Sequence, residues 1–318
     1  MTGTKKRPEI TVEDRSIVNE IMKLPWRIGN KINKQYYSRG KTSHNPKGQS
    51  IFDRDWDNLI ILDAARADTF TSICSLEGKY GNHISLGAGS HEFVRANFAG
   101  KDLRDTVIVT ANAFYQKVMQ EEGYKIHDLH AVKEYEHNEL QTRFVESGRG
   151  GWNMPGPVTE KAKEFSERYP NKRLVIHYHQ PHSPYIGETG VEFFDDIPHK
   201  LAYKQRREIN VSEEILERAY RENLEIAIKS AGELVDSLTG KTVVSADHGE
   251  MLGERGPVVP IKYYGHMTGL YTKQLTNVPW FIIDSSDRKS IERGSGNEEI
   301  IEQDECVDDR LRELGYKI

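Results

Sequence analysis

The sequence predicts a three-layer αβα sandwich built on a mainly parallel sheet, and two observations carry that reading. Five short runs rich in β-branched residues, Asn58–Leu62, Thr106–Val109, Arg173–Tyr178, Thr242–Ser245 and Val278–Ile283, are nearly continuous in apolar character, as strands covered on both faces must be. Helix-period patterns separate these runs, which supplies the crossovers that successive parallel strands require. A chain of 318 residues, 36% of them hydrophobic, has enough apolar material for one large core.

The first fifty residues stand apart as a basic arm, with residues 51 to 318 read as the catalytic domain. The arm carries 11 Lys and Arg against 4 acids, net +7, which leaves −12 for the remainder. Ile17, Val18, Ile21, Met22 and Leu24 give it one or two amphipathic turns, so it either packs on the domain or makes peripheral contact with an anionic membrane. The whole-chain charge of −5 excludes a polycationic nucleic-acid binder. No window is apolar enough to span a bilayer, and the polar start MTGTKKRPEITVEDRS has no signal-peptide core, so a cytoplasmic protein is expected. Two cysteines, Cys74 and Cys306, make neither a disulfide framework nor a zinc spacing.

Asn58–Leu62 runs into Asp63, Arg173–Tyr178 leads through His177 and His179 to His182, and Thr242–Ser245 leads into Asp247 and His248. In open parallel sheets ligands bind beyond the carboxyl ends of the strands, where loops converge polar groups without breaking the ladder. Asp63, Asp247 and His248 offer hard oxygens and an imidazole, a set suited to Zn or Mn, with Mg or Ca as alternatives. Between the third and fourth strands, Tyr220, Leu224, Ala227, Ala231, Leu234 and Leu238 recur at helical spacing, predicting a helix from Ser212, its cap, to Leu238, closed by Gly240. The Gly- and Pro-rich stretches 147–159 and 181–199 read as loops, the second long enough to be a lid.

These motifs resemble the alkaline phosphatase and sulfatase superfamily. LIILDAARADTF looks like its opening strand, where the terminal Asp, here Asp63, binds metal and is followed by an Arg and an Asp, here Arg66 and Asp68. VVSADHGEMLGERG is similar to its Asp-His-Gly-Glu signature, which implies Asp247 and His248 as metal ligands. PHSPY matches its Pro-His-x-Pro-Tyr loop, which implies that His182 meets the substrate's anionic group, with Arg66 counted among the substrate-binding residues. VPWFII and the closing RLRELGY extend the resemblance over residues 55 to 318. The family places a Ser, Thr or modified Cys on the metal at a helix start. The segment SLGAGSHEFVRANF offers Ser90, which fits the roles of nucleophile, metal ligand and simple helix cap, with Gly87 and Gly89 permitting an unusual backbone. His266 in IKYYGHMTG lies where relatives hold a second metal or the leaving group, and Lys262 is near enough in sequence to bind an anionic oxygen.

One departure from the family matters. The Cys-x-Pro-x-Arg or Ser-x-Pro-x-Arg sequence that precedes formylglycine is missing, since Cys74 lies in SICSLEGK and Ser90 in GSHEFVR. The resemblance therefore implies a metal-dependent hydrolase of phosphate or sulfate esters, with a phosphatase or phosphodiesterase favoured over a formylglycine sulfatase, acting on a small-molecule or glycan ester. A transferase moving a phosphoryl head group to a glycan or lipid, and a binding protein on a degenerate fold, are the other readings.

Overall fold

The computed structural model describes residues 12–37, 43–132, 154–194, 211–295 and 307, with side chains in the first helix from Leu24 onward. In chain order the elements are α1 (Val12–Tyr37), β1 (Asn58–Leu62), α2 (Ala67–Ile73), β2 (Lys79–Ile84), α3 (Ser90–Phe98), β3 (Asp102–Thr110), α4 (Phe114–Glu122) and β4 (Lys125–Ala131). They continue with α5 (Pro155–Arg168), β5 (Arg173–Tyr178), α6 (Glu188–Phe194), α7 (Glu213–Val235), β6 (Thr242–Ser245), β7 (Met251–Arg255), β8 (Lys262–Gly265), α8 (Lys273–Thr276) and β9 (Asn277–Ile283). The main sheet has seven strands in the order β2-β9-β6-β1-β5-β3-β4, and β7 and β8 form a separate hairpin. All pairings from β6 to β4 are parallel, while β9 runs antiparallel to both β6 and β2.

Strand alternation sorts the apolar residues into two cores. Ile60 and Leu62 of β1 face α2, α5 and α7, packing with Phe70, Phe165 and Leu224. Leu59 and Ile61 face α3 and α4, packing with Phe93, Phe98 and Tyr115. The sheet is thus covered on both sides, which is why its central strands contain so few polar residues. The mainly parallel αβα sandwich expected from the sequence is the architecture found.

The five expected strands are present. The two main-sheet strands that the apolar pattern misses, β2 (KYGNHI) and β4 (KIHDLHA), are the edges of the sheet. Edge strands bury less surface, so polar residues are tolerated and the signal fades. Ser212 caps α7 through a hydrogen bond from Ile215 N at 3.3 Å. Gly240 does not close that helix, which ends at Val235. It lies instead in the turn entering β6 at φ 100°, where a Cβ would come within 2.7 Å of Asp57 Oδ2.

Three further expectations change. Residues 154–159 are the entry to α5 rather than loop, since Pro155 sits where its missing N–H costs the helix nothing. The second Gly- and Pro-rich stretch contains α6, and its first residues are pinned by Asn223 of α7, whose Nδ2 donates to the carbonyls of Pro181, His182 and Pro184 and whose Oδ1 accepts from Ile186 N. The arm forms a 26-residue helix despite Pro25, where one or two turns were expected. Tertiary contacts support it: Asn33 is buried and bonds Val259 O and Tyr263 Oη, and Trp26 packs edge-on against Tyr263. Among the described residues, no helix is long and apolar enough to cross a membrane. The closing RLRELGY and Cys306 lie outside the described residues.

Candidate active site

The strands β6, β1 and β5 are neighbours, so the groups at their carboxyl ends converge. Asp63, His177, Asp247 and His248 are all fully buried there. Ala64, at φ 65°, turns the chain sharply after Asp63 and donates its N–H to Asp247 Oδ1 at 3.1 Å. Tyr220 of α7 holds this strained turn, its hydroxyl donating to Ala64 O and accepting from Arg66 N, both at 2.8 Å.

Inside this cluster His177 Nε2 is 3.6 Å from Asp63 Oδ2 and 3.7 Å from Asp247 Oδ2. His248 Nε2 is 3.6 Å from Asp63 Oδ1 and 3.4 Å from Asp247 Oδ2. The Nδ1 of His248 faces Gly249 O at 2.8 Å, and a carbonyl only accepts, so Nδ1 carries the proton and Nε2 offers a lone pair. Ser90 Oγ donates to Asp63 Oδ2 at 3.3 Å and lies 3.4 Å from His248 Nε2. Ser90 is the first residue of α3 and Gly89 is its N-cap, so the hydroxyl faces the cluster rather than capping the helix.

The glycines before it are not there for unusual torsions. Neither has positive φ, and Gly89 is extended at −179°. Gly87 is required by crowding, for a Cβ there would lie 2.5 Å from Phe93 N.

The residues fit a divalent cation. Asp63 Oδ1, Asp247 Oδ2 and His177 Nε2 are buried without a hydrogen-bond partner, and one ligand atom from each of these residues lies within 4.8 Å of the others. Buried carboxylate oxygens without partners are costly, and two carboxylates with imidazole nitrogens form a donor set for Zn or Mn. Electrostatics agree: burial and the adjacent Asp63 carboxylate push Asp247 up to about 6. Burial also opposes ionisation of Asp63, yet the imidazoles beside it, His177 foremost, hold it well below the usual carboxylate range. His248 is pulled down to about 3 by burial and by His266, so it is neutral, as a ligand must be.

A second group lies beside the first. Ligand atoms of His182, Glu250 and His266 lie within 4.8 Å of one another, and His266 Nδ1 is 3.4 Å from Glu250 Oε2. The His266 ring sits 4.2 Å from that of His248 and 5.1 Å from that of His182, which joins the two clusters. Burial works against the charged form of His266, and the carboxylates of Glu250, Asp63 and Asp247 outweigh it and raise the imidazole above its usual value. His182 faces Ser183 O with Nδ1 at 2.6 Å, which fixes that proton and turns Nε2 away from the loop.

No family model and no curated protein matches the sequence. Solved structures do. The integral membrane lipooligosaccharide phosphoethanolamine transferase A from Neisseria meningitidis matches at 11% identity and TM-score 0.46 over 72% of this chain. This chain spans only 47% of that protein's length. A putative sulfatase from Bacteroides thetaiotaomicron matches at 12% identity and TM-score 0.45, covering 82% of this chain and 71% of that one. The phosphonate monoester hydrolase of Agrobacterium radiobacter matches at 11% identity and TM-score 0.42, over 71% and 67% of the two chains.

Two of the cations singled out in the sequence are engaged by protein carboxylates. Arg66 pairs with Asp68 through Nε at 3.0 Å and Nη2 at 2.7 Å, pairs with Glu254, and donates to Glu250 O at 3.2 Å. It thereby anchors the loop after Asp247-His248. Lys262 on β8 pairs with Glu213 at the start of α7, 2.6 Å away. Three residues of the site carry little sequence signal. His177 is visible at a strand end but was outside the ligand triad. Asn112, which donates to Asp63 Oδ2 at 3.0 Å, follows β3 without any motif. Glu250 is written in the DHGE signature, and its partnership with His266 could only come from the fold.

Proposed function

We propose that this chain is a metal-dependent enzyme that cleaves or transfers a phosphate ester, with Ser90 as nucleophile. The observation that carries the reading is the buried convergence of Asp63, His177, Asp247 and His248 around acceptor atoms that no protein cation satisfies, with the Ser90 hydroxyl at its rim. A divalent cation held by these residues, Zn or Mn fitting the donor set best, would favour the Ser90 alkoxide and neutralise charge on the ester oxygens.

The chain's own residues account for the rest. Ser90 Oγ attacks phosphorus at the start of α3, where the first N–H groups of the helix favour an anion. Asn112 holds the Asp63 carboxylate in place. His266, kept basic by Glu250, and His182 face the ester from the second cluster and bind its oxygens or protonate the departing one. Water or another alcohol then releases the group from Ser90. A phosphate ester is favoured over a formylglycine-dependent sulfate because Cys74 caps the far end of α2 and Ser90 lacks the flanking Pro and Arg. The substrate class is a small-molecule or glycan ester.

The test is metal content by mass spectrometry on the wild type, Asp247→Ala and Ser90→Ala, with turnover of an aryl phosphate, a phosphodiester and an aryl sulfate in the same preparations. Stoichiometric Zn or Mn lost in Asp247→Ala, and a loss of turnover on the order of a thousandfold or more in Ser90→Ala with metal retained, supports the reading. Absence of turnover with added Zn, Mn and Mg alike overturns it in favour of a binding protein.

A further inference from the structure

We infer that the outer face of α1 docks on an anionic lipid bilayer, with the helix lying in the plane of the interface. Leu24, Ile28, Ile32 and Tyr36, each four residues from the last, are 52%, 53%, 40% and 46% exposed. At the helical period they fall within roughly 120° of arc. Scattered exposed apolar residues are ordinary, but four on consecutive turns of one helix make a continuous ridge. Val258, 51% exposed, is on the loop against which α1 packs, its N–H bound by Asn33 Oδ1.

The other faces of the helix define its orientation. Asn33 and Gly29 turn toward the domain, Asn33 meeting Val259 and Tyr263 and Gly29 lying against Val259 and Ile261. Arg27 and Lys31 are exposed beside the apolar ridge, and residues 24–37 contain no acid. An apolar ridge bordered by cations on a domain-anchored helix is the arrangement that seats in the headgroup region of an anionic bilayer. A neutral protein partner would gain nothing from that border, and a second copy would bring the same cations against each other. The inner face packs on the segment that leads to His266, and Lys34 approaches Gly269, so docking would hold the candidate active site beside the membrane.

The inference does not rest on the proposed chemistry, and its test is separate. The full chain is floated with phosphatidylcholine vesicles and with vesicles of phosphatidylcholine and phosphatidylglycerol in equal parts, at low and high salt, beside Ile28→Ser/Ile32→Ser and Lys31→Glu. Binding confined to the anionic vesicles, weakened by salt and by Lys31→Glu, and about ten- to hundredfold weaker in the Ile pair variant, is expected. Melting temperature and turnover of a soluble ester stay unchanged in that variant. Absence of anionic-vesicle binding, or equal binding by the Ile pair variant, overturns the inference. So does a lower melting temperature in that variant, which would mean that the chain itself covers the ridge, and so does a wild-type dimer that the variant abolishes.

Discussion

Asp57 and Asp63 flank the same strand and are equally hidden from solvent, yet their surroundings are opposite. At the amino end of β1, Asp57 accepts from Arg288 Nε at 2.6 Å and Nη2 at 3.1 Å and from Lys241 N at 2.8 Å. Burial opposes its ionisation, and those donors still bring it below the usual range. At the carboxyl end, Asp63 has an amide, a hydroxyl and imidazoles around it, and Oδ1 has no partner. A carboxylate that serves the fold is given a protein cation. One that leaves its oxygens open beside a second carboxylate is arranged for a cation from outside.

The largest expected effect sets the two residues directly against each other. Asp63→Asn should abolish both bound metal and ester turnover while leaving the metal-free protein folded, because it removes a ligand oxygen and keeps the shape of the side chain. Metal analysis, turnover and chelator-treated melting curves read all three. Asp57→Asn should do the reverse, costing about 1 kcal/mol in denaturant unfolding by removing the buried carboxylate charge that Arg288 and Lys241 N bind, since the half-exposed Arg288 keeps its pairing with Asp55, with metal content unchanged. Retention of metal by Asp63→Asn, or its loss in Asp57→Asn, would break the comparison.

A smaller effect sharpens it. Asn112→Ala should weaken metal binding by about ten- to hundredfold in a competition titration, as expected for a group that only orients a ligand. Buried imidazoles offer the last case. His177 faces two carboxylates, whereas His83 on β2 has no partner at either ring nitrogen, and burial and the Arg54 cation pull it down to about 4. Its folded value lies below its unfolded one, so the unfolded chain takes up the proton first and stability falls as pH drops from about 6.5 toward 4. His83→Phe should relieve about 2 kcal/mol of that loss at pH 5, measured as the difference between the two proteins' unfolding curves at pH 7 and pH 5.

The central strands were legible in the sequence because burial on both faces leaves a signature that needs no neighbour to interpret: Asn58–Leu62 and Thr242–Ser245 carry it whole. β2 and β4 were not, since an edge strand's identity depends on the partner beside it. The same division runs through the site. Asp63, Asp247 and His248 stand at the ends of readable strands and inside a recognisable signature. His177 could be seen there as well, but its inclusion required knowing that β5 lies beside β1. Asn112 and the His266–Glu250 pair belong to loops whose destinations no local pattern encodes.

What the sequence determined by itself was the alternation of strands and helices, the capping of α7 by Ser212 and the chemical types available at the strand ends, because these follow from periodicity and short-range hydrogen bonding. Only the tertiary structure decided which of those groups share a cavity. It turned Ser90 from a potential cap into a neighbour of Asp63, committed Arg66 and Lys262 to ion pairs, and set α1 on the domain with an apolar face outward. The physical reason is that proximity across β6, β1 and β5 comes from long-range packing of the sheet, a property that no single segment of the chain carries.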